Sequence, residues 1–213
     1  MSKTIAVIDY GMGNLRSVSK AIEHVADAQD RVLVTDDPAL ILSADRVVFP
    51  GQGAAGDCMA AISDHSLNQA VLDAAHSKPF LGICMGLQVL LQFSDENGGT
   101  DLLGLIPGKV RRFADEQEVD GQRLKIPQMG WNQVHQNREH PLWEGIPQDS
   151  RFYFVHSYYV VPDDANIVAG STDYGVSFAS VLAYKNLFAT QFHPEKSADH
   201  GLQLLRNFVN WDV

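Results

Sequence analysis

Cys84 stands between glycines in Gly82-Ile83-Cys84-Met85-Gly86, directly after the apolar run Pro79-Phe80-Leu81. A thiol in the pattern G-x-nucleophile-x-G is placed to attack a carbonyl carbon. The strand runs into a sharp turn that lifts one side chain clear of the backbone and aims helix-terminal N–H groups at it. Such a position favours the thiolate and offers an anion a place to sit. A buried cysteine packed inertly in a glycine-containing turn fits the same letters, so other residues have to decide. Gln191-Phe192-His193-Pro194-Glu195 supplies a base and its orienter. Proline biases the residue before it towards extended geometry, and residues i and i+2 of an extended segment point to the same side. His193 is then set to take the thiol proton, with Glu195 holding the ring and favouring the imidazolium. A loop histidine alone would carry little weight. The third element is Pro50-Gly51-Gln52-Gly53. Its glycines let backbone N–H groups approach a ligand. The amides of Gln52 and Met85 together could stabilise a tetrahedral oxyanion, an effect of about 3–4 kcal/mol. An ordinary tight turn after a strand reads the same way.

These residues need a scaffold that brings distant segments together. Thr4 to Ile8, Arg31 to Val34, Arg46 to Phe49 and Pro79 to Ile83 read as short strands. Helical spacing runs over Asn14 to Val25, with Asn14 as N-cap, over Leu67 to Ala75 and over Leu87 to Phe93. Strands separated by helices imply an open, mostly parallel α/β sheet flanked by helices. Ligands of such sheets collect at the carboxyl ends of the strands, where Cys84 and the Gly-rich turns lie. The second half reads as an antiparallel extension. Its short strands are Val110 to Phe113, Trp131 to Val134, Phe152 to Val155, Tyr158 to Val161, Ile167 to Ala169, Phe178 to Tyr184 and Leu187 to Phe192. A closing helix follows over Ala198 to Val209, and Ser94 to Gly108 reads as a loop. Gln88 lies one helical turn after Cys84 and reaches the same pocket.

The chain has 213 residues, 45% of them hydrophobic, which suits a single domain over 1–213 with a sizeable core. Sixteen basic residues face 26 acidic ones, a formal charge of −10, with no basic stripe for nucleic acid. Two cysteines, Cys58 and Cys84, give no disulfide framework, and no metal-ligand spacing occurs. Cys58 reads as inert packing. No stretch approaches the roughly 18 apolar residues of a membrane span, and no leader pattern opens the sequence. The reducing cytoplasm is the expected compartment. Gly11-Met12-Gly13 lacks the third glycine of a dinucleotide fingerprint, because Arg16 occupies its place.

Taken in order, Pro-Gly-x-Gly, Gly-Ile-Cys-Met-Gly-Leu-Gln and Phe-His-Pro-Glu-Lys-Ser resemble the class I (triad-type) glutamine amidotransferases over nearly the whole chain. The resemblance implies a triad of Cys84, His193 and Glu195, with oxyanion amides at Gln52 and Met85. It implies hydrolysis of L-glutamine to glutamate and ammonia through a Cys thioester, without cofactor or metal. It also makes Gln88, Glu96, Ser157 and Tyr158 substrate contacts, with Glu96 pairing the α-ammonium group. Three more segments, Ile8 to Asn14, Ile126 to Asn132 and Phe152 to Tyr158, narrow the match. They are similar to the branch of glutaminase subunits that feed ammonia to a separate TIM-barrel cyclase subunit in histidine biosynthesis. That implies a heterodimer, with Gly11, Asn14, Trp131 and Lys196 on the partner surface. Trp131 fits ordinary strand packing equally well. Gln52 stands where the family usually has a small apolar residue, and Gln128 where it often has histidine. The amidotransferase subunit of another synthase, such as a chorismate-using one, and a non-catalytic regulatory module stay open as alternatives.

Overall fold

The computed structural model describes residues 2–116, 118–119 and 122–213. Arg31–Thr35, Thr4–Ile8, Arg46–Gly51, Phe80–Cys84 and Leu187–Thr190 lie side by side in that order, all parallel. The sheet then turns antiparallel through Val176–Tyr184, Tyr158–Pro162 and Gly108–Arg112. Gln128–Gln133 and Arg151–His156 form a separate antiparallel pair. This is the expected parallel sheet with an antiparallel extension.

The inner parallel strands are buried on both faces, as covered sheets require, while the edge strand Arg31–Thr35 is partly exposed. Ile5 and Val7 belong to one hydrophobic core and Ala6 and Ile8 to the other, following the period of two. Helices Leu15–Val25 and Ala198–Asn210 cover the first face. Leu15–Val25 does so through Val18, Ile22 and Val25 at three- and four-residue spacing. Helices Ala55–Asp64 and Asn68–Ser77 cover the second. Cys84 packs in the first core and Met85, the next residue, in the second. The chain therefore crosses from one core to the other at the peptide that follows the thiol.

Several elements differ from the sequence-based expectation. Asn14 does not cap its helix with its side chain. Its φ of −87° and ψ of 60° lie outside normal cap geometry, and only its carbonyl engages, accepting from Val18 N at 3.1 Å. The helix expected over Leu87 to Phe93 is a single turn, Met85–Gln88, starting directly after Cys84. Sheet pairing wins beyond it, because Phe93 and Ser94 align with Lys109 and Val110. The loop Ser94 to Gly108 accordingly holds a short strand, Thr100–Asp101, paired to Phe93–Ser94. The strand at Leu187 stops at Thr190, since the chain crosses over and His193 N donates to Tyr153 O at 2.9 Å. The structure adds a short helix, Pro38–Ser43. Asp37 caps it by accepting from Ala39 N at 2.8 Å, with proline at the first helical position.

Candidate active site

Cys84 ends its strand with φ 57° and ψ −108°, an unfavourable conformation for a residue with a Cβ. Strain of this kind costs about 1–3 kcal/mol and is held only where the surroundings fix it. Gly86 makes that possible, since a Cβ there would sit 1.8 Å from the Phe49 carbonyl oxygen. The thiol is nearly buried, 5% exposed.

His193 approaches from the crossing segment. Its Nδ1 donates to Glu195 Oε1 at 2.9 Å, and the Glu195 side chain has no exposure. The pair forms, but not through a continuous extended segment. His193 is extended, with φ −100° and ψ 99°, whereas Glu195 lies in the 3₁₀ turn Pro194–Lys196. Ser197 fastens this turn by donating to His193 O at 2.6 Å and accepting from Tyr153 N at 2.9 Å. Burial lowers the His193 pKa, but Cys84 and then Glu195 outweigh it and lift the value to about 10. Among the described residues, Nε2 of His193 is buried with no hydrogen-bond partner, as is Glu195 Oε2.

The Gly51–Gly53 turn faces the thiol. A Cβ on Gly51 would meet Tyr10 Oη at 2.3 Å, so the turn rests on that buried phenol. The Gln52 side chain is exposed, while its carbonyl accepts from Cys58 Sγ at 3.4 Å. Burial, foremost, pushes the Cys58 thiol up to about 11, which keeps it a neutral donor. Glu96 Oε2 accepts from Ala55 N at 2.7 Å and so caps a helix whose own N-cap residue, Ala54, has no side chain to do it.

One cleft of about 700 Å³ gathers Cys84, Met85, Gln52, Gln88, Glu96, Ser157, Tyr158, His193, Gly11 and Lys196. Glu195 lies buried behind His193. Asn14 and Trp131 are not among the lining residues. Trp131 is 48% exposed beside the still more exposed Met129, and its ring meets Tyr153 edge-on at 6.2 Å.

Sequence spacing assigns no role to two residues that the structure brings to the site. Gln191, fully buried, donates from Nε2 to Cys84 Sγ at 3.7 Å. It stands two residues before His193, yet nothing in spacing says that its side chain turns back to the thiol. His156 bridges Gln128 Oε1 and the Tyr158 carbonyl, both at 2.7 Å. Burial lowers its pKa to about 4. A neutral ring donates to only one of these, and a backbone carbonyl only accepts, so the Gln128 amide is the group that rotates to suit.

The chain matches the model described as "Glutamine amidotransferase class-I" over residues 6–211. It is 58% identical to imidazole glycerol phosphate synthase subunit HisH of Aromatoleum aromaticum, covering 97% of this chain and 98% of that one. It is 57% identical to subunit HisH 1 of Pseudomonas aeruginosa, covering 100% and 99%. Among solved structures, PurLQS from Thermotoga maritima superposes with a TM-score of 0.73 at 17% identity, covering 99% of each chain. A putative GMP synthase subunit from Thermoplasma acidophilum gives 0.70 at 19%, covering 99% and 94%. At such identities the two structures bear on the fold alone.

Proposed function

Since the chain belongs to the class I glutamine amidotransferase family, we propose that it works as the glutaminase subunit of imidazole glycerol phosphate synthase, with Cys84, His193 and Glu195 as its triad. The observation that carries the site reading is the buried His193–Glu195 pair, bonded at 2.9 Å, beside a thiol on a strained turn. The Cys84 thiolate attacks the side-chain carbonyl carbon of glutamine, and the oxyanion is met by the amides of Gln52 and Met85. The intermediate collapses as imidazolium His193 gives its proton to the leaving nitrogen, and ammonia departs. His193 then takes a proton from water, which attacks the thioester. Glutamate leaves, and the thiolate and imidazolium are restored. Glu195 holds the ring throughout.

Glutamine is held by Gln88, Ser157 and Tyr158, with Glu96 pairing its α-ammonium. Oε2 of Glu96 is already committed to Ala55 N, which leaves Oε1 for the substrate. The 1–213 chain acts as one amidotransferase unit in the cytoplasm, bound as a heterodimer to a TIM-barrel cyclase subunit. Gly11, Asn14, Trp131 and Lys196 lie on that interface. Ammonia passes there shielded from water, since protonation to ammonium would end its nucleophilicity. In the cyclase it reacts with a phosphoribulosyl aminoimidazole-carboxamide nucleotide, giving imidazole glycerol phosphate and an aminoimidazole-carboxamide ribotide.

The test is glutamine hydrolysis with and without the cyclase subunit and its nucleotide ligand. Stimulation by the pair is expected, with a glutamyl thioester trapped on Cys84 and a loss of roughly 10³-fold or more in Cys84→Ala. No stimulation and no thioester would overturn the reading.

A further inference from the structure

We infer that Gln191 is a thiolate-holding residue of this site, its amide oriented towards Cys84 by Gln88 and the Tyr158 backbone. The inference rests on Cys84 being the nucleophile.

One partner in this network cannot turn. The Tyr158 carbonyl only accepts. It lies 3.1 Å from Gln88 Nε2, so the Gln88 amide must present its NH₂ group there. His156 Nδ1 reaches the same carbonyl at 2.7 Å and pins it from a second side. The same Gln88 nitrogen lies 3.0 Å from Gln191 Oε1. A donor on that side fixes the Gln191 amide with its oxygen towards Gln88. Its NH₂ group is then left for Cys84 Sγ, 3.7 Å away. Among the described residues, this is the one hydrogen bond made to that sulfur by a side chain. Gln88 is 2% exposed, and Gln191 is wholly shielded from water. In such surroundings an oriented N–H is worth more to an anion than in water.

The consequence is a division of labour at the sulfur. His193 Nε2, without a hydrogen-bond partner among the described residues, is kept for the leaving nitrogen. Gln191 solvates the thiolate without competing for that proton, because an amide does not titrate in this range.

The test uses the full chain in complex with its cyclase partner. Gln191→Met keeps the side-chain length and removes the donor. Two profiles are measured against pH: alkylation of Cys84 by iodoacetamide, read by peptide mass so that Cys58 is separate, and kcat/KM for glutamine. The alkylation midpoint is expected to rise by about one pH unit, which leaves about tenfold less thiolate on its acid side. There, kcat/KM falls by a similar factor through kcat, with KM little changed. Gln191→Glu, close to isosteric, gives a second arm if the methionine variant does not fold. Its carboxylate should move the midpoint upward at least as far. A midpoint that stays put in either folded variant overturns the inference. Alkylation is independent of turnover, so failure here is distinct from failure of the catalytic reading, which Cys84→Ala reports.

Discussion

His193 is buried and nevertheless favours its proton, because two neighbours of opposite charge outweigh the cost of burial. The contribution of Cys84 can be removed by itself. In Cys84→Ala the His193 pKa should fall well below about 10, as followed by NMR titration of the ring; an unchanged titration would leave Glu195 as the whole cause. The sign for stability comes from linkage. A histidine whose folded pKa exceeds its unfolded value adds stability that is complete below about pH 6.5 and is lost as pH climbs towards 10. The wild-type chain should therefore lose more stability than Cys84→Ala as the pH approaches about 10, as read by thermal unfolding. At Gly86 the constraint is steric. A methyl group 1.8 Å from the Phe49 carbonyl oxygen has no room, so Gly86→Ala should cost about 1–3 kcal/mol and distort the turn that carries the thiol. Wild-type midpoints in denaturant together with wild-type activity would contradict this.

Among the elements, the last helix is held by a buried clasp. Arg46 is only 4% exposed, and its guanidinium donates to Phe208 O at 3.3 Å and Trp211 O at 2.7 Å. Arg46→Met leaves the Trp211 carbonyl without its donor, while Phe208 O keeps Trp211 N, and should cost about 1–3 kcal/mol. The ion pair with Asp212 is another matter, since that carboxylate is 92% exposed and well screened. Asp212→Asn should change stability by less than about 1 kcal/mol. Chemical denaturation of both variants separates the two contributions. The elements also divide by how far their letters betray them. The parallel strands are legible, because uninterrupted apolar runs bounded by turns admit few other structures. The helix after Cys84 reads too long because the apolar residues Leu87, Val89, Leu90 and Leu91 suit a buried turn as well as a helix. What ends it is a pairing partner, Lys109–Val110, too far along the chain for any local pattern to announce. The triad types are legible as a motif, but Glu195 reaches His193 through a 3₁₀ turn that i, i+2 spacing does not contain. The direction of the Gln191 side chain is set by Gln88, 103 residues away.

For the whole molecule, the antiparallel pair outside the main sheet links an exposed face to His193. Trp131 pairs in register with Tyr153, and Tyr153 O accepts from His193 N at 2.9 Å. A partner seated on Trp131 would press on the strand that holds the histidine backbone. Trp131→Ala should weaken the complex by about 2 kcal/mol, so that roughly 30-fold more cyclase is needed for half-maximal stimulation. An unshifted titration would remove Trp131 from the interface. The crossing between Cys84 and Met85 has a wider meaning. Cys84 and the Met85 amide are neighbours in sequence but tenants of opposite halves of the interior. Substitutions in either half therefore act on the same peptide unit. A change that repacks beneath Met85 reaches the Cys84 thiol through one peptide bond, and a change around Cys84 reaches the Met85 amide by the same route.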